Sequence, residues 1–254
     1  MMSDALEIRQ AFETPQWYFE KLNYRVKLRK EIVSQLTQKL SFARYIDIGC
    51  GDGSISIPLL NSKRHLTLQD ISSAMLKRAR GRVPTEMLPN VGLIEGDFRN
   101  HALEPASYDL VICLGVLAYV SDVPDFIDRI SALLRPGGFV ILECTDSRHF
   151  LSRFLAGYSA LTALVRPPKT KVPLCAHSRS DIVACFSKLG YEQAGRYSYS
   201  TPLPVIRSLM NQETRYRMIS RLHGNAERNR AAWFASEHIF LWRKSGNGRS
   251  TNHQ

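Results

Sequence analysis

The sequence predicts an α/β protein built on a doubly wound, mostly parallel sheet. Short apolar runs alternate with helical patterns from residue 45 to about residue 145. That alternation is the mark of parallel strands joined by crossover helices. The first run, Tyr45-Ile46-Asp47-Ile48-Gly49-Cys50-Gly51-Asp52-Gly53, passes from strand directly into a glycine-rich turn. Tyr45, Ile46 and Ile48 suit a strand covered on both faces. The glycines permit positive φ and let a ligand come close to the backbone. A helix is expected to follow from Gly53 or Ser54 to about Asn61, its free N–H groups facing the same ligand. Asp47 is read as a carboxylate at the mouth of a cleft.

Composition sets bounds. The chain has 254 residues, 44% of them hydrophobic and 22% charged, which is ordinary for a water-soluble domain with a sizeable core. No apolar run reaches the length of a membrane span. The five cysteines show no metal-ligand spacing, and no metal is expected. A reduced, cytoplasmic protein fits this usage. Net charge is +11, and two segments hold most of it. Residues 144–177 carry five lysines and arginines against Asp146 alone, and residues 196–230 carry seven arginines against Glu213 and Glu227. One reading is a solvated basic surface; another is that both segments face something anionic.

The remaining elements follow in order. Residues 11–42 read as helical from the spacing of Trp17, Tyr18, Leu22, Val26, Ile32, Val33, Leu36 and Leu40, with Thr14-Pro15 as the start signal. Leu66 to Asp70 is a second strand ending in an acid about 20 residues beyond Gly51, where nucleoside-binding folds hold ribose hydroxyls. A carboxylate accepts two such bonds at once. Ile71 to Leu76 follows and starts a helix. Val91 to Phe98 is the third strand with its exit, and Tyr108 to Cys113 the fourth. Leu114 to Tyr119 continue it beyond the carboxyl edge, where ligands sit in such sheets. Asp122 caps a helix to about Leu134, and Arg135-Pro136-Gly137-Gly138 turns into a fifth strand, Phe139 to Glu143. Helices are expected over Phe150–Val165, Arg179–Leu189 and Val205–Leu222, and strands over Tyr191–Ser200 and His238–Trp242. Residues 245–254 are expected to be a disordered tail.

The motifs carry a resemblance. Asp47 followed by Gly49, Gly51 and Gly53 resembles motif I of the class I S-adenosylmethionine-dependent methyltransferases. The run lacks the Gly-Lys-Ser/Thr ending of a P-loop and the Gly-x-Gly-x-x-Gly spacing of a dinucleotide fold. Asp70-Ile71-Ser72-Ser73-Ala74-Met75-Leu76, Gly96-Asp97-Phe98 and Leu133-Leu134-Arg135-Pro136-Gly137-Gly138 match further family signatures. The resemblance covers residues 40–145 strongly and implies a Rossmann-like seven-stranded sheet with an antiparallel last strand. It implies S-adenosyl-L-methionine as cofactor, held by Asp47, Gly49, Cys50, Gly51, Asp70, Ile71, Met75, Asp97, Phe98 and Leu114. Asp70 would take the ribose, Asp97 the adenine amino group, and Phe98 the adenine ring. It also implies one domain over 1–244, a helical lid over 11–42 with Tyr18, Tyr24 or Arg25 near the methionine carboxylate, and substrate-lid insertions at 144–177 and 201–235.

A sulfonium methyl is already activated, so aligning the nucleophile supplies much of the rate and a base is optional. His149, His177, His223, His238 and Tyr119 are candidate bases, with His149 and Tyr119 nearest the expected pocket mouth. No Asp/Asn-Pro-Pro-Tyr motif follows the fourth strand, so a small-molecule or lipid-like acceptor leads over nucleic acid. The layout of Phe150–His177 resembles that of magnesium-protoporphyrin methyltransferases. Arg148 and Arg153 are expected at the rim of the acceptor site, gripping an anionic group. A basic lid that docks on RNA or on an anionic membrane is the alternative.

Overall fold

The structure, a computed structural model, describes residues 2–13, 16–165, 174–201 and 210–246. One sheet of seven strands organises them, in the order β3-β2-β1-β4-β5-β7-β6. The strands are β1 Arg44–Ile48, β2 His65–Asp70, β3 Val91–Glu95, β4 Tyr108–Cys113, β5 Leu134–Thr145, β6 Tyr191–Tyr199 and β7 Glu237–Lys244. The first five are parallel, and β7 runs antiparallel between β5 and β6.

Alternation along the strands makes two cores, one on each face. Ile46, Ile48, Val111, Cys113, Val140, Leu142, Phe240 and Trp242 face one side, against Phe126, Ile127 and Ile130 of helix α4 (Val123–Leu133) and Ile182 and Phe186 of α6 (Arg179–Lys188). Tyr45, Leu110, Ile112, Ile141, Ile239 and Leu241 face the other. They meet Leu28, Ile32 and Val33 of α2 (Gln16–Thr37), Leu76 and Ala79 of α3 (Ser73–Arg82), and Ile219 of α7 (Gln212–His223). Near-continuous apolar strands result because both faces are covered.

Several boundaries differ from expectation. No α-helix follows the glycine turn; turns lead to a single 3-10 turn at Ile57–Leu59. Pro58 lacks the N–H needed to bond Ser54, and its ring crowds that carbonyl, so a helix cannot propagate from Gly53. The N-terminal helical stretch is two helices, α1 (Met2–Glu13) and α2, and Thr14-Pro15 between them lie outside the described residues. The fifth strand begins earlier, at Leu134, with a register irregularity between Tyr108 and Leu110. Helix α5 spans Phe150–Val165 as expected. Helix α7 starts at Gln212, where the Asn211 side chain accepts the Thr214 amide; Val205 and Leu209 lie outside the described residues, as do 247–254 of the expected tail.

Candidate active site

A cavity of about 400 Å³ opens at the carboxyl ends of β1, β2, β4 and β5. Its floor is the turn after β1. Gly49 and Gly51 have φ of +69° and +56°, a conformation that glycine adopts without strain. The Gly49 and Cys50 amides donate to the Gln69 carbonyl at 2.9 and 3.0 Å. The Gly51 amide donates to Asp70 Oδ2 at 2.8 Å, and the Ser72 amide donates to Asp70 Oδ1 at 2.9 Å. Asp70 therefore ties the glycine turn to the start of α3, whose first turn is capped by the Ser72 hydroxyl. Burial raises the Asp70 pKa, and the amide bonds oppose the rise.

Gly49, Gly51, Asp70, Ile71, Met75, Asp97, Phe98, Leu114 and Tyr119 all line this cavity. Phe98 is buried and packs edge-on against Phe126 at 5.5 Å. Tyr119 sits on the 3-10 turn Leu117–Tyr119 and meets Phe12 of α1 edge-on at 5.9 Å. Asp97 accepts from the Arg99 guanidinium at 2.6–3.1 Å. Burial works against its charge, but these bonds and the Arg99 amide win and hold its carboxyl below the usual range.

Three expected site residues are not on the wall. Alternation along β1 turns Ile48 to the cavity and Asp47 to the other face, beside Tyr45 and Ser56. Asp47 is thus a buried group behind the turn rather than a carboxylate at a mouth. Burial pushes its pKa up to about 7, with Ser56 opposing and Asp70 adding to the rise. Cys50 is buried, and burial pushes its thiol pKa well up. His149 turns away because it caps α5: its Nδ1 accepts the Leu151 amide at 3.3 Å, and its ring lies on Phe150 and Phe234.

Other wall residues come from elements distant in sequence. Arg25 and Arg29 lie four apart on α2, on one face. Arg29 is paired with Glu143 at the end of β5, with Nε to Oε1 at 3.1 Å, and Tyr199 donates to the same carboxylate at 2.9 Å. Arg25 reaches Glu237 at 3.4 Å, and Thr145 donates to Glu237 at 2.7 Å. Of these, only Arg25 was singled out from sequence. The Arg-x-x-x-Arg spacing was visible, but its two glutamate partners are set by β5–β7 pairing. The expected rim arginines are elsewhere. Arg148 pairs with Asp181 at 3.6 Å, and neither it nor Arg153 lines the cavity.

Comparisons with known proteins agree with this geometry. Residues 46–140 match a family described as a methyltransferase domain. The chain is similar to the ubiquinone biosynthesis O-methyltransferase of Xylella fastidiosa (strain 9a5c), 34% identical over 39% of this chain and 40% of that one. It is also similar to the protein of that name from Hydrogenovibrio crunogenus, 31% identical over 56% of this chain and 58% of that one. The chain thus spans about half the length of these curated relatives. Among solved structures, magnesium protoporphyrin IX methyltransferase of Synechocystis PCC 6803 with bound SAH aligns at a TM-score of 0.63 and 18% identity, over 95% of this chain and 100% of that one. A possible histamine N-methyltransferase of Thermotoga maritima aligns at 0.63 and 18%, over 93% and 99%. At such identities the structures speak for the fold alone. Residues 46–140 thus match a methyltransferase domain, and the sheet order and the glycine turn seated on Asp70 bear out the resemblance to the class I S-adenosylmethionine-dependent methyltransferases.

Proposed function

We propose that the protein binds S-adenosyl-L-methionine in this cavity and moves its methyl group to a small, amphipathic or anionic acceptor. One observation carries the reading. A Cβ built on Gly51 meets nothing within 4 Å, whereas one on Gly49 falls 2.3 Å from Val116. Space is therefore kept open at a glycine whose amide donates to the Asp70 carboxylate. The residues suit a nucleoside. Asp70 has acceptor capacity left beyond its two amide bonds, Asp97 lies on the same wall, and Ile71, Met75 and Phe98 give an apolar bed for a base. When bound, the cofactor supplies a sulfonium-activated methyl group. The chain's part is to exclude water and align the acceptor.

The acceptor side favours a partly apolar molecule with a polar or anionic group. Leu117, Ala118, Val120 and Leu174 supply apolar wall, and Arg25 and Arg29 supply cations. The relatives' name, ubiquinone biosynthesis O-methyltransferase, fits an acceptor of that kind. We take residues 1–244 as one catalytic domain working in the cytoplasm, with the lid segments 144–177 and 201–235 selecting the acceptor. Calorimetry with S-adenosyl-L-methionine tests the cofactor. Incubation of a metabolite extract with isotope-labelled donor tests the acceptor. Absence of binding in the first experiment would refute the whole reading.

A membrane-held acceptor is the second reading, favoured by one patch. Phe150, Phe154 and Tyr158 are exposed at helical spacing on α5, Trp233 is 84% exposed nearby, and Arg148 and Arg153 flank them. Among the described residues no helix is long and apolar enough to cross a membrane. Co-flotation with anionic vesicles, absent with neutral ones, separates this reading from a freely diffusing acceptor.

A further inference from the structure

The segment from Leu174 to His177 lies along the turn that follows β4. The Cys175 amide donates to the Ala118 carbonyl at 2.7 Å, and the Ser147 amide donates to the His177 carbonyl at 2.8 Å. His177 is half-buried on the cavity wall. Its Nε2 lies 3.0 Å from the Leu117 carbonyl and 2.8 Å from the Val120 carbonyl. Neither carbonyl can donate, so Nε2 carries the proton, and in the neutral ring the lone pair sits on Nδ1. Among the described residues, no hydrogen bond engages that nitrogen.

No other described histidine is on the wall. The Nδ1 of His149 is taken by the Leu151 amide, and His223 Nε2 accepts the Ser200 amide. His238 is bonded to Ser198, and burial pushes its pKa down to about 4. His65 and His101 lie off the cavity. The two carbonyls do more for His177 than set its tautomer. They fix the ring's orientation as well. Tyr119 on the bonded turn, Cys144 at the end of β5, Cys175 and Asp146 are the titratable groups on the elements around it, and the Arg179 amide holds Asp146.

We propose that His177 Nδ1 is the general base of the transfer and that the acceptor atom is a hydroxyl oxygen. This rests on the methyltransferase reading above and deepens it. His177 takes the acceptor's proton as the O–H bond breaks, and the freed oxygen pair forms the bond to the methyl carbon. The pair of the broken carbon–sulfur bond stays on sulfur, leaving a neutral thioether, and the imidazolium then gives its proton to water. An imidazole base suits phenols and enols, whose protons are acidic enough to be removed near pH 7.

The test uses the whole chain and has an arm that needs no turnover. Nitrogen NMR of histidine-labelled protein should show His177 as the Nε2–H tautomer, with Nδ1 unprotonated at pH 7.5. An Nδ1–H tautomer, or an imidazolium persisting at pH 8, overturns the proposal. H177Q keeps an amide N–H for the carbonyls but is no base, and H177N is the second variant should H177Q fold poorly. Donor affinity by calorimetry should stay within about threefold. With a series of phenols as probe acceptors, kcat/KM at pH 7 should fall by about a hundredfold or more for weakly acidic members. The loss should shrink for phenols already ionised at pH 7. A loss equal across the series, or full activity in H177Q, marks His177 as a positioning residue only and overturns the base role. Failure of the wild type to bind the donor instead refutes the methyltransferase reading and the base role with it, whereas a wrong tautomer in a donor-binding protein overturns the base role alone.

Discussion

Gly49 and Gly51 should fail for different reasons when a methyl group is added, and the contrast tests where the cofactor lies. Both sit at positive φ, which costs an alanine about 1–2 kcal/mol. At Gly49 the new Cβ also lands 2.3 Å from Val116 Cγ2, so Val116 must move within a packed region, adding about 1–3 kcal/mol. Gly49→Ala should thus lose about 2–5 kcal/mol of stability, summed from those two ranges. At Gly51 the Cβ enters open space, so only the backbone cost applies and the variant should fold with a loss of about 1–2 kcal/mol. Yet that space is where the cofactor would lie, so Gly51→Ala should weaken S-adenosyl-L-methionine binding tenfold or more, about 1.4 kcal/mol. Denaturant unfolding gives the stabilities and calorimetry the affinities. A well-folded Gly51→Ala protein with wild-type affinity would sink the argument, since the open space would then belong to something else.

Three more expectations follow from the same geometry. Asp70→Ala removes an acceptor shared by the Gly51 and Ser72 amides, and calorimetry should show donor affinity reduced by about 1.5–3 kcal/mol, as for hydrogen bonds to a charged group; unchanged affinity would mean the pocket is misassigned. Asp47 titrates at about 7 in the fold, above its ordinary value, so its contribution to stability is full at low pH and is lost as pH rises through about 7. Between pH 5 and pH 8 that loss should be about 2–3 kcal/mol in the wild type and absent in Asp47→Asn; parallel pH curves from chemical denaturation would disprove it. Arg29→Met strands the buried Glu143 and should cost about 3–5 kcal/mol in thermal or denaturant unfolding, whereas Arg153→Met, off the wall, should shift neither stability nor donor affinity by more than about 0.5 kcal/mol.

Local chemistry in the sequence was enough to bring most of the expected cofactor residues, though not Asp47 or Cys50, to one cavity wall. Strand periodicity located β1, β2, β4 and β5 to within a few residues, and the glycines and Asp70 lie close together in the chain, so their spacing alone brought them to one sheet edge. Short-range rules also gave the cap at Asp122 and a helix beginning near Ser72. The helix expected after Gly53 does not form, and the reason, Pro58, is itself visible in the sequence.

Tertiary structure alone decided the rest of the cavity wall. Whether a histidine faces a cavity depends on where a lid returns to the sheet. His149 and His177 are alike in the sequence, but one caps α5 and the other is pinned to the turn after β4. Asp47 was assigned to the mouth because its motif neighbours are there, but the two-residue alternation of a strand sent it to the opposite face. Net charge points to the lid arginines, whereas Arg25 and Arg29 on the cavity wall come from α2 and are held by glutamates of β5 and β7. Those pairings join residues more than a hundred positions apart, and no local pattern encodes such a meeting. Spacing along the chain determines what neighbours in sequence can build; chain return and side-chain direction determine everything assembled from afar.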